Sequence, residues 1–446
     1  MPNATLHHHH RILEEQTMNM TSRFKVVLIA LGIYIALGWY SLAAAQNIAD
    51  GTVIDKSNYQ SVESLLFPKF IDQITKFNVS FIYKEPVEKY LIPEYEALTK
   101  KYAGQTKLDM STLKISGYQS GLPFCREEVD AEQDLNAKGT KIMYNAYYSY
   151  PRTMGDNFTW PGFWYVWIDG RRGVERTMYA SFHRHYYKHR VLMEPESVEP
   201  NEDNLWFKSM LFAERPYDLA GFGTLSFRYD DGRFDNTWGY LPAMRRIRRM
   251  SSGSWMDSVM GMAWTYDDLQ MFDAFPSWYK GYKFIGKKRL LMPAESRPDG
   301  YIQDQYPKDM IAGSPICDFK NAPYWNSVQQ WFQPTDVYVV ECFPPDEHSY
   351  GRRIFYIDAY DFSPYLGEIY DDRGEFWKWQ ETNLIRKKEL GKDRFIYEPD
   401  LMWQRDVQSM KGAAGLTNAG APHHRVHDPN FKIDFFSTDT LLNAGK

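Results

Sequence analysis

"FWYVWIDGRRGVERTMYASFHRHYYKH", residues 163–189, decides the fold. Asp169-Gly170 is a hairpin signal between two strand-like arms. In the second arm Val174, Met178, Ala180, Phe182 and Tyr186 share one face, while Glu175, Thr177, Ser181, His183 and His185 share the other. That arm is amphipathic. In the first arm Phe163, Tyr165 and Trp167 alternate with Trp164, Val166 and Ile168, so both faces are apolar. An antiparallel strand of this kind must be covered twice, by core on one side and by a lid, a partner or an apolar ligand on the other. The plain alternative is a strand sandwiched between sheet and helix.

The same pattern recurs downstream in "VYVVECF" (337–343) and "RRIFYIDAYDFSPYLGEIYDDRGEFWKW" (352–379), with turns at 358–364 and 371–374. Upstream, Val62, Leu65, Leu66, Phe70, Ile74 and Phe77 recur at helical spacing, and Pro93 opens a second helix to about Tyr102. From Gly121 onward, aromatic and β-branched runs broken by Gly, Pro, Asn and Asp predict a chain that is mostly strand. Residues 411–430, rich in Gly, Ala and His, read as a mobile linker, and 431–436 as a final strand.

With 446 residues, 43% of them hydrophobic, the chain can bury one large core or two smaller ones. A formal charge of -5 gives no basic excess for nucleic acid. Arg23 and Lys25 precede the apolar run 26–42, and Ala43, Ala44 and Ala45 stand before Gln46, the pattern of an export signal cut after Ala45. The run is also nearly long enough for an uncleaved anchor, and either reading puts the rest outside the cytoplasm. Residues before Met18 or Met20, including the histidines at 7–10, carry no fold information. The expected organisation is an extension and signal at 1–45, one β-rich domain with N-terminal helices at 46–410, and a linker and tail at 411–446. Cys125, Cys317 and Cys342 allow one disulfide, for which Cys317 and Cys342 are the expected pair.

Enzyme motifs are missing. The sequence has neither G-x-S-x-G nor H-E-x-x-H. "GYKFIGKK" (281–288) imitates a phosphate loop, but Lys288 stands where Ser or Thr should hold magnesium. His183 and His185, with His189 behind, could place two imidazoles on a metal, but no third ligand is offered and a solvated polar face is the simpler reading. His423, His424, His427 and Asp428 fall in the expected tail, where a rigid ligand shell is not to be had. The pairs Asp230-Asp231, Asp267-Asp268 and Asp371-Asp372 each adjoin turn signals, where Asp is favoured for backbone reasons rather than for glycoside cleavage. No catalytic residue, metal or cofactor is assigned.

Several further stretches occur in fixed order: "GLPF" at 121, "MGDNFTWPGFWYVWIDGRRGVERT" at 154, "ERPYDLAGFGTLSFRY" at 214 and "WGYLPAMRRIRRM" at 238, then "DSVMGMAWTYDDLQMF" at 257 and "KFIGKKRLLMP" at 283. Together with 352–379 they resemble a bacterial family of unknown function described as outer-membrane lipoprotein-sorting proteins. That family is similar in fold to the periplasmic lipoprotein carriers of the Lol system. The resemblance implies a mainly β, α+β fold: a curved, incomplete antiparallel β-barrel with a helical lid over an apolar cavity. It also implies a periplasmic carrier of lipid, acyl chain or another hydrophobic molecule, working beside an inner-membrane transporter of the resistance-nodulation-division type. No catalytic residues carry over, and Cys125 departs from the family's usual proline.

On this reading the candidate cavity residues are Trp160, Phe163, Tyr165, Trp167, Phe182, Tyr240 and Trp264, with the inward face of each strand open to a one-residue register slip. Within "YLPAMRRIRRM" (240–250), Arg245, Arg246, Arg248 and Arg249 emerge on both faces of a strand. Buried, they would be unpaired, so the segment belongs at a rim or edge. There it is either solvated and ion-paired or docked on an acidic partner surface or lipid headgroups. The competing functional classes are an adaptor whose apolar face is filled by a partner protein and an exported hydrolase.

Overall fold

The computed structural model describes residues 48–293, 317–327, 330–389, 391–417 and 425–444. The expected export signal, His423 and His424 lie outside them. In chain order the strands are β1 (Val53–Ile54), β2 (Phe81–Tyr83), the small hairpin β3 (Lys107–Asp109) and β4 (Lys114–Ser116), β5 (Asn157–Asp169), β6 (Gly173–Tyr186), β7 (Leu205–Arg215), β8 (Gly223–Tyr229), β9 (Asn236–Leu241) and β10 (Arg246–Arg249). They continue as β11 (Gly281–Met292), the pair β12 (Cys317–Asp318) and β13 (Asn326–Ser327), β14 (Trp331–Phe343), β15 (Arg352–Asp358), β16 (Pro364–Tyr370), β17 (Phe376–Lys388), β18 (Phe395–Asp406), β19 (Lys411–Leu416) and β20 (Arg425–Val426).

Sixteen of these form one sheet, ordered β1-β2-β14-β15-β16-β17-β18-β19-β5-β6-β7-β8-β9-β10, with β11 paired to β14 and β20 to β5. All pairings are antiparallel except β2 with β14. The sheet curves but does not close: β10 ends one side. The expected hairpin is β5 and β6, joined through Asp169 paired with Gly173. The register shifts between Trp160 and Phe163, and this bulge keeps both rings on the face shared with Tyr165 and Trp167. A Cβ at Gly162 in the bulge would fall 1.7 Å from the Tyr179 hydroxyl, so any side chain there must displace that ring.

Both faces of β5 are covered, as its pattern requires. Phe163, Tyr165 and Trp167 pack with Met178, Val259, Met262 and Trp264. Val166 and Ile168 pack on the opposite face with Phe319, Trp325, Leu401 and Trp403. β14 is treated alike: Val337 and Val339 meet helix α1 (Pro68–Phe77) through Phe70 and Ile74, while Tyr338 and Val340 face a second cluster.

The helical run expected over 62–77 is split. A 3-10 turn, Tyr59–Leu65, precedes α1, and Phe67 between them is extended (φ -108°, ψ 157°) because a residue before proline is pushed out of the helical region. Helix α2 (Pro93–Tyr102) starts at the predicted proline. Three helices fall where strand was expected: α3 (Arg126–Ala131), α4 (Leu135–Tyr147) and α5 (Tyr150–Thr153). Helix α4 is the most deeply packed, and its aromatic composition mimics strand. Its start is fixed by Asp134, whose carboxylate accepts from the N–H groups of Asn136 and Ala137 at 2.8 Å each.

Three further expectations change. Lys411–Leu416 is a strand within the sheet, not the start of a linker; its small side chains serve close packing, since Cβ atoms at Gly412 and Gly415 would meet Trp325 at 3.3 Å and Trp264 at 3.1 Å. Residues 431–436 form no strand. They contain a 3-10 turn, Ile433–Phe435, followed by helix α6 (Thr438–Ala444), whose Leu441 packs with Met210, Leu225 and Tyr240. No disulfide joins Cys317 to Cys342, because they are buried in separate clusters. No helix among the described residues is long and apolar enough to cross a membrane.

Candidate functional site

Residues 250–273 cross the inner face of β5–β8 as short turns, including the 3-10 segments Ser254–Met256 and Tyr266–Met271, and leave a cavity of about 160 Å³ beneath them. One end is apolar: Trp160, Phe163 and Tyr165 from β5, Met178 and Phe182 from β6, Leu211 from β7, and Val259, Met260 and Leu269 from the covering segment. The other end is polar, with Ser209, Ser226, Thr237, Arg184, Arg228, Asp235 and Asp273.

Of the seven candidate cavity residues, Trp160, Phe163, Tyr165 and Phe182 line this space. Trp167 and Trp264 support it from the same cluster, Trp264 standing edge-on to Tyr165 at 5.9 Å. Tyr240 is elsewhere. It packs on the outer face against α6, one register step having reversed its strand face.

The covering segment is pinned by Asp267 and Asp268, whose role is ion pairing in the core rather than turn formation. Asp267 and Asp268 are buried and grip Arg353 of β15 at 2.8 and 3.0 Å. Arg353 also donates to the Met271 carbonyl and to Gln380, each at 2.8 Å. Tyr279 donates to Asp267 at 2.5 Å and Tyr350 to Asp268 at 2.6 Å. Burial opposes ionisation of Asp267, yet the Arg353 charge together with His348 and the Tyr279 hydrogen bond outweighs it and holds the carboxyl at about 2. The same Asp268 closes a capping box with Thr265. These two carboxylates are a structural clamp.

Asp235 and Asp273, the carboxylates that do border the cavity, share one guanidinium. Arg228 donates through Nε to Asp235 at 2.6 Å and through Nη2 to Asp273 at 2.9 Å, while Nη1 reaches the Tyr147 hydroxyl at 2.7 Å. Burial raises the Asp235 carboxyl and Arg228 partly offsets that rise.

His183 and His185 are not gathered with a third ligand, and no group of three or more metal-ligating side chains occurs among the described residues, which exclude His423 and His424. The face bearing His183 and His185, expected to be solvated, is covered by the C-terminal segment: His183 stands edge-on to Phe435 at 4.9 Å and His185 stacks on Phe431 at 5.8 Å. Burial lowers both imidazoles to about 4. His427 is likewise buried, between Glu389 at 3.1 Å and the Tyr150 hydroxyl at 3.0 Å.

The arginine cluster lies on the edge strand β10, which among the described residues pairs only with β9. Arg245 occupies a left-handed turn (φ 49°) just before it, so the strand is shorter than its pattern implied. All four arginines are exposed, none forms an ion pair among the described residues, and Arg249 donates to Asn236.

Sequence reasoning missed Arg184, Arg228, Asp235 and Asp273. A signal was present for the first: residue 184 falls between Phe182 and Tyr186 on the apolar face of β6, and an arginine at such a position demands an explanation.

An open antiparallel sheet with a clamped segment over an apolar hollow places the chain in the α+β class with a lidded cavity. Residues 53–442 match the family DUF1329, proteins of unknown function, and the chain belongs to that family. Its fold is similar to that of a Vibrio parahaemolyticus domain described as outer membrane lipoprotein-sorting: 16% identity, 69% of this chain and 99% of that one, TM-score 0.45. A DUF1329 protein of Desulfovibrio piger gives 16% identity over 69% of this chain and all of that one, TM-score 0.44. A LolA superfamily protein of Nitrosomonas europaea gives 13% identity over 68% and 98%, TM-score 0.37. No curated protein matches the chain.

Proposed function

We propose that this protein is a non-enzymatic periplasmic carrier that holds a hydrophobic molecule under residues 250–273. The observation that carries the reading is the cavity: about 160 Å³, walled by aromatic rings at one end and covered by a segment held through buried ion pairs. An apolar cavity of roughly 150 Å³ stays dry and binds a benzene-sized guest. Each buried methylene adds about 0.8 kcal/mol, so retention rests on apolar burial. Residues 26–45 supply the export signal of this reading, and the family resemblance supplies a resistance-nodulation-division type transporter as the exchange partner. The exposed Arg245, Arg246, Arg248 and Arg249 are the docking surface we assign to an acidic face of that partner.

Native mass spectrometry with solvent extraction, on protein beginning at Gln46 and purified without detergent from its own host's periplasm, tests the reading. A reproducible apolar adduct is expected, and it is lost when Phe163 and Tyr165 are both changed to Ser in a variant that still folds. A clean ligand-free mass on a folded chain overturns the carrier and favours an adaptor filled by a protein partner.

A further inference from the structure

The polar end of the cavity holds two arginines on one wall, and only one of them is answered. Arg228, 3% exposed, is engaged at all three nitrogens by Asp235, Asp273 and Tyr147. Arg184, 6% exposed, donates only from Nη1, to the Tyr186 hydroxyl at 3.2 Å and to Gln270 at 3.3 Å. Its Nε is buried without a partner, Nη2 has none among the described residues, and no carboxylate there comes within 4 Å of it. Asp235 is near enough to feel the Arg184 charge but is held by Arg228. What stabilises the Arg184 guanidinium is chiefly the face of Phe207, 4.1 Å from its centre, with Phe182 at 5.3 Å.

A buried guanidinium lacking a counter-charge is costly, because most of what offsets its desolvation is missing. Truncation or pairing would be the cheaper solution for a residue with no task. The guanidinium fork matches the two oxygens of a carboxylate, and charge-assisted bonds of that kind are short and strong. Position completes the argument. Arg184, Phe182, Ala180 and Met178 follow one another on the same face of β6, so a molecule lying along the strand with its head at Arg184 has roughly 20 Å of apolar wall behind it.

We infer that Arg184 anchors the acidic head of an amphipathic ligand: the cargo class is a monocarboxylate whose apolar tail lies among Phe163, Phe182 and Met178. This rests on the carrier reading and narrows it. Neutral hydrocarbons and alcohols of equal length fit the apolar end but leave the guanidinium unanswered.

The test is a calorimetric comparison of octanoate with octan-1-ol at pH 7 on the protein from Gln46. The carboxylate is expected to bind at least tenfold more tightly. Arg184→Met abolishes that preference, whose roughly tenfold size is what loss of a charge-assisted hydrogen bond removes, while leaving octanol affinity within about threefold; Arg184→Lys keeps part of it. Equal affinities in the wild type, or an undiminished preference in Arg184→Met, overturn the assignment of Arg184 and leave the carrier intact. Failure of both ligands to bind overturns the carrier reading itself. If Arg184→Met does not fold, the wild-type comparison and Arg184→Lys decide the question.

Discussion

The β15–β17 half of the sheet and the β5–β8 half each bury an arginine beneath the same covering segment, and they treat it differently. Arg353 sits between two carboxylates, a glutamine and a backbone carbonyl, so its charge is answered although its Nε has no partner. Arg184 has two neutral partners at more than 3 Å and faces a hollow. The first arrangement holds the segment down. The second leaves a charge waiting, which is what separates a structural polar cluster from a binding one.

Removing each arginine in turn has the largest expected effect. Arg353→Met strands Asp267 and Asp268 in the core and is expected to cost about 3–5 kcal/mol in urea unfolding. Arg184→Met leaves no carboxylate stranded and is expected to be near neutral. If the two variants lose equal stability, Arg184 is structural after all.

Acid separates the halves next. His183 and His185 have folded-state values of about 4, below the 6.5 of an unfolded imidazole. The folded state therefore resists their protonation, and the stability they support is complete above pH 6.5 and lost as pH falls toward 4. At pH 5.5 the cost is on the order of 1 kcal/mol per histidine, felt where α6 and Phe431 cover β6. Replacing both by Phe should flatten urea midpoints between pH 7 and 5. Asp267 acts lower: its value of about 2 lies below the 3.8 of a free carboxyl, so its contribution is full above pH 3.8 and disappears toward 2. A single acid transition shared by both regions would erase the distinction.

The smallest effect belongs to the edge. Arg246→Glu with Arg248→Glu should move stability by less than about 0.5 kcal/mol, because both side chains are exposed and unbridged. Octanoate affinity should be unchanged. A larger loss in thermal melts would make the cluster part of the fold.

Much of this was legible in the residues. The alternation in 163–168 required a strand covered on both faces, Asp169-Gly170 required the hairpin, and arginines on both faces of 245–249 required an edge; each is a local rule of side-chain direction. Helix α4 was not legible, because Ile142, Met143, Tyr144 and Tyr147 are equally good strand residues and only packing against β11 and β14 selects the helix. The Gly-Ala run at 411–416 misled for the converse reason: small residues mark flexibility in solution and close approach in a core.

By itself the sequence determined which faces are apolar and where the chain turns, since both are set by neighbours a few residues apart. Only the tertiary structure decided which face meets a void, which carboxylates are spent on Arg353 and Arg228, and that Arg184 has none. Those are properties of side chains brought together from distant strands and the segment over them, and no local pattern encodes the pairing.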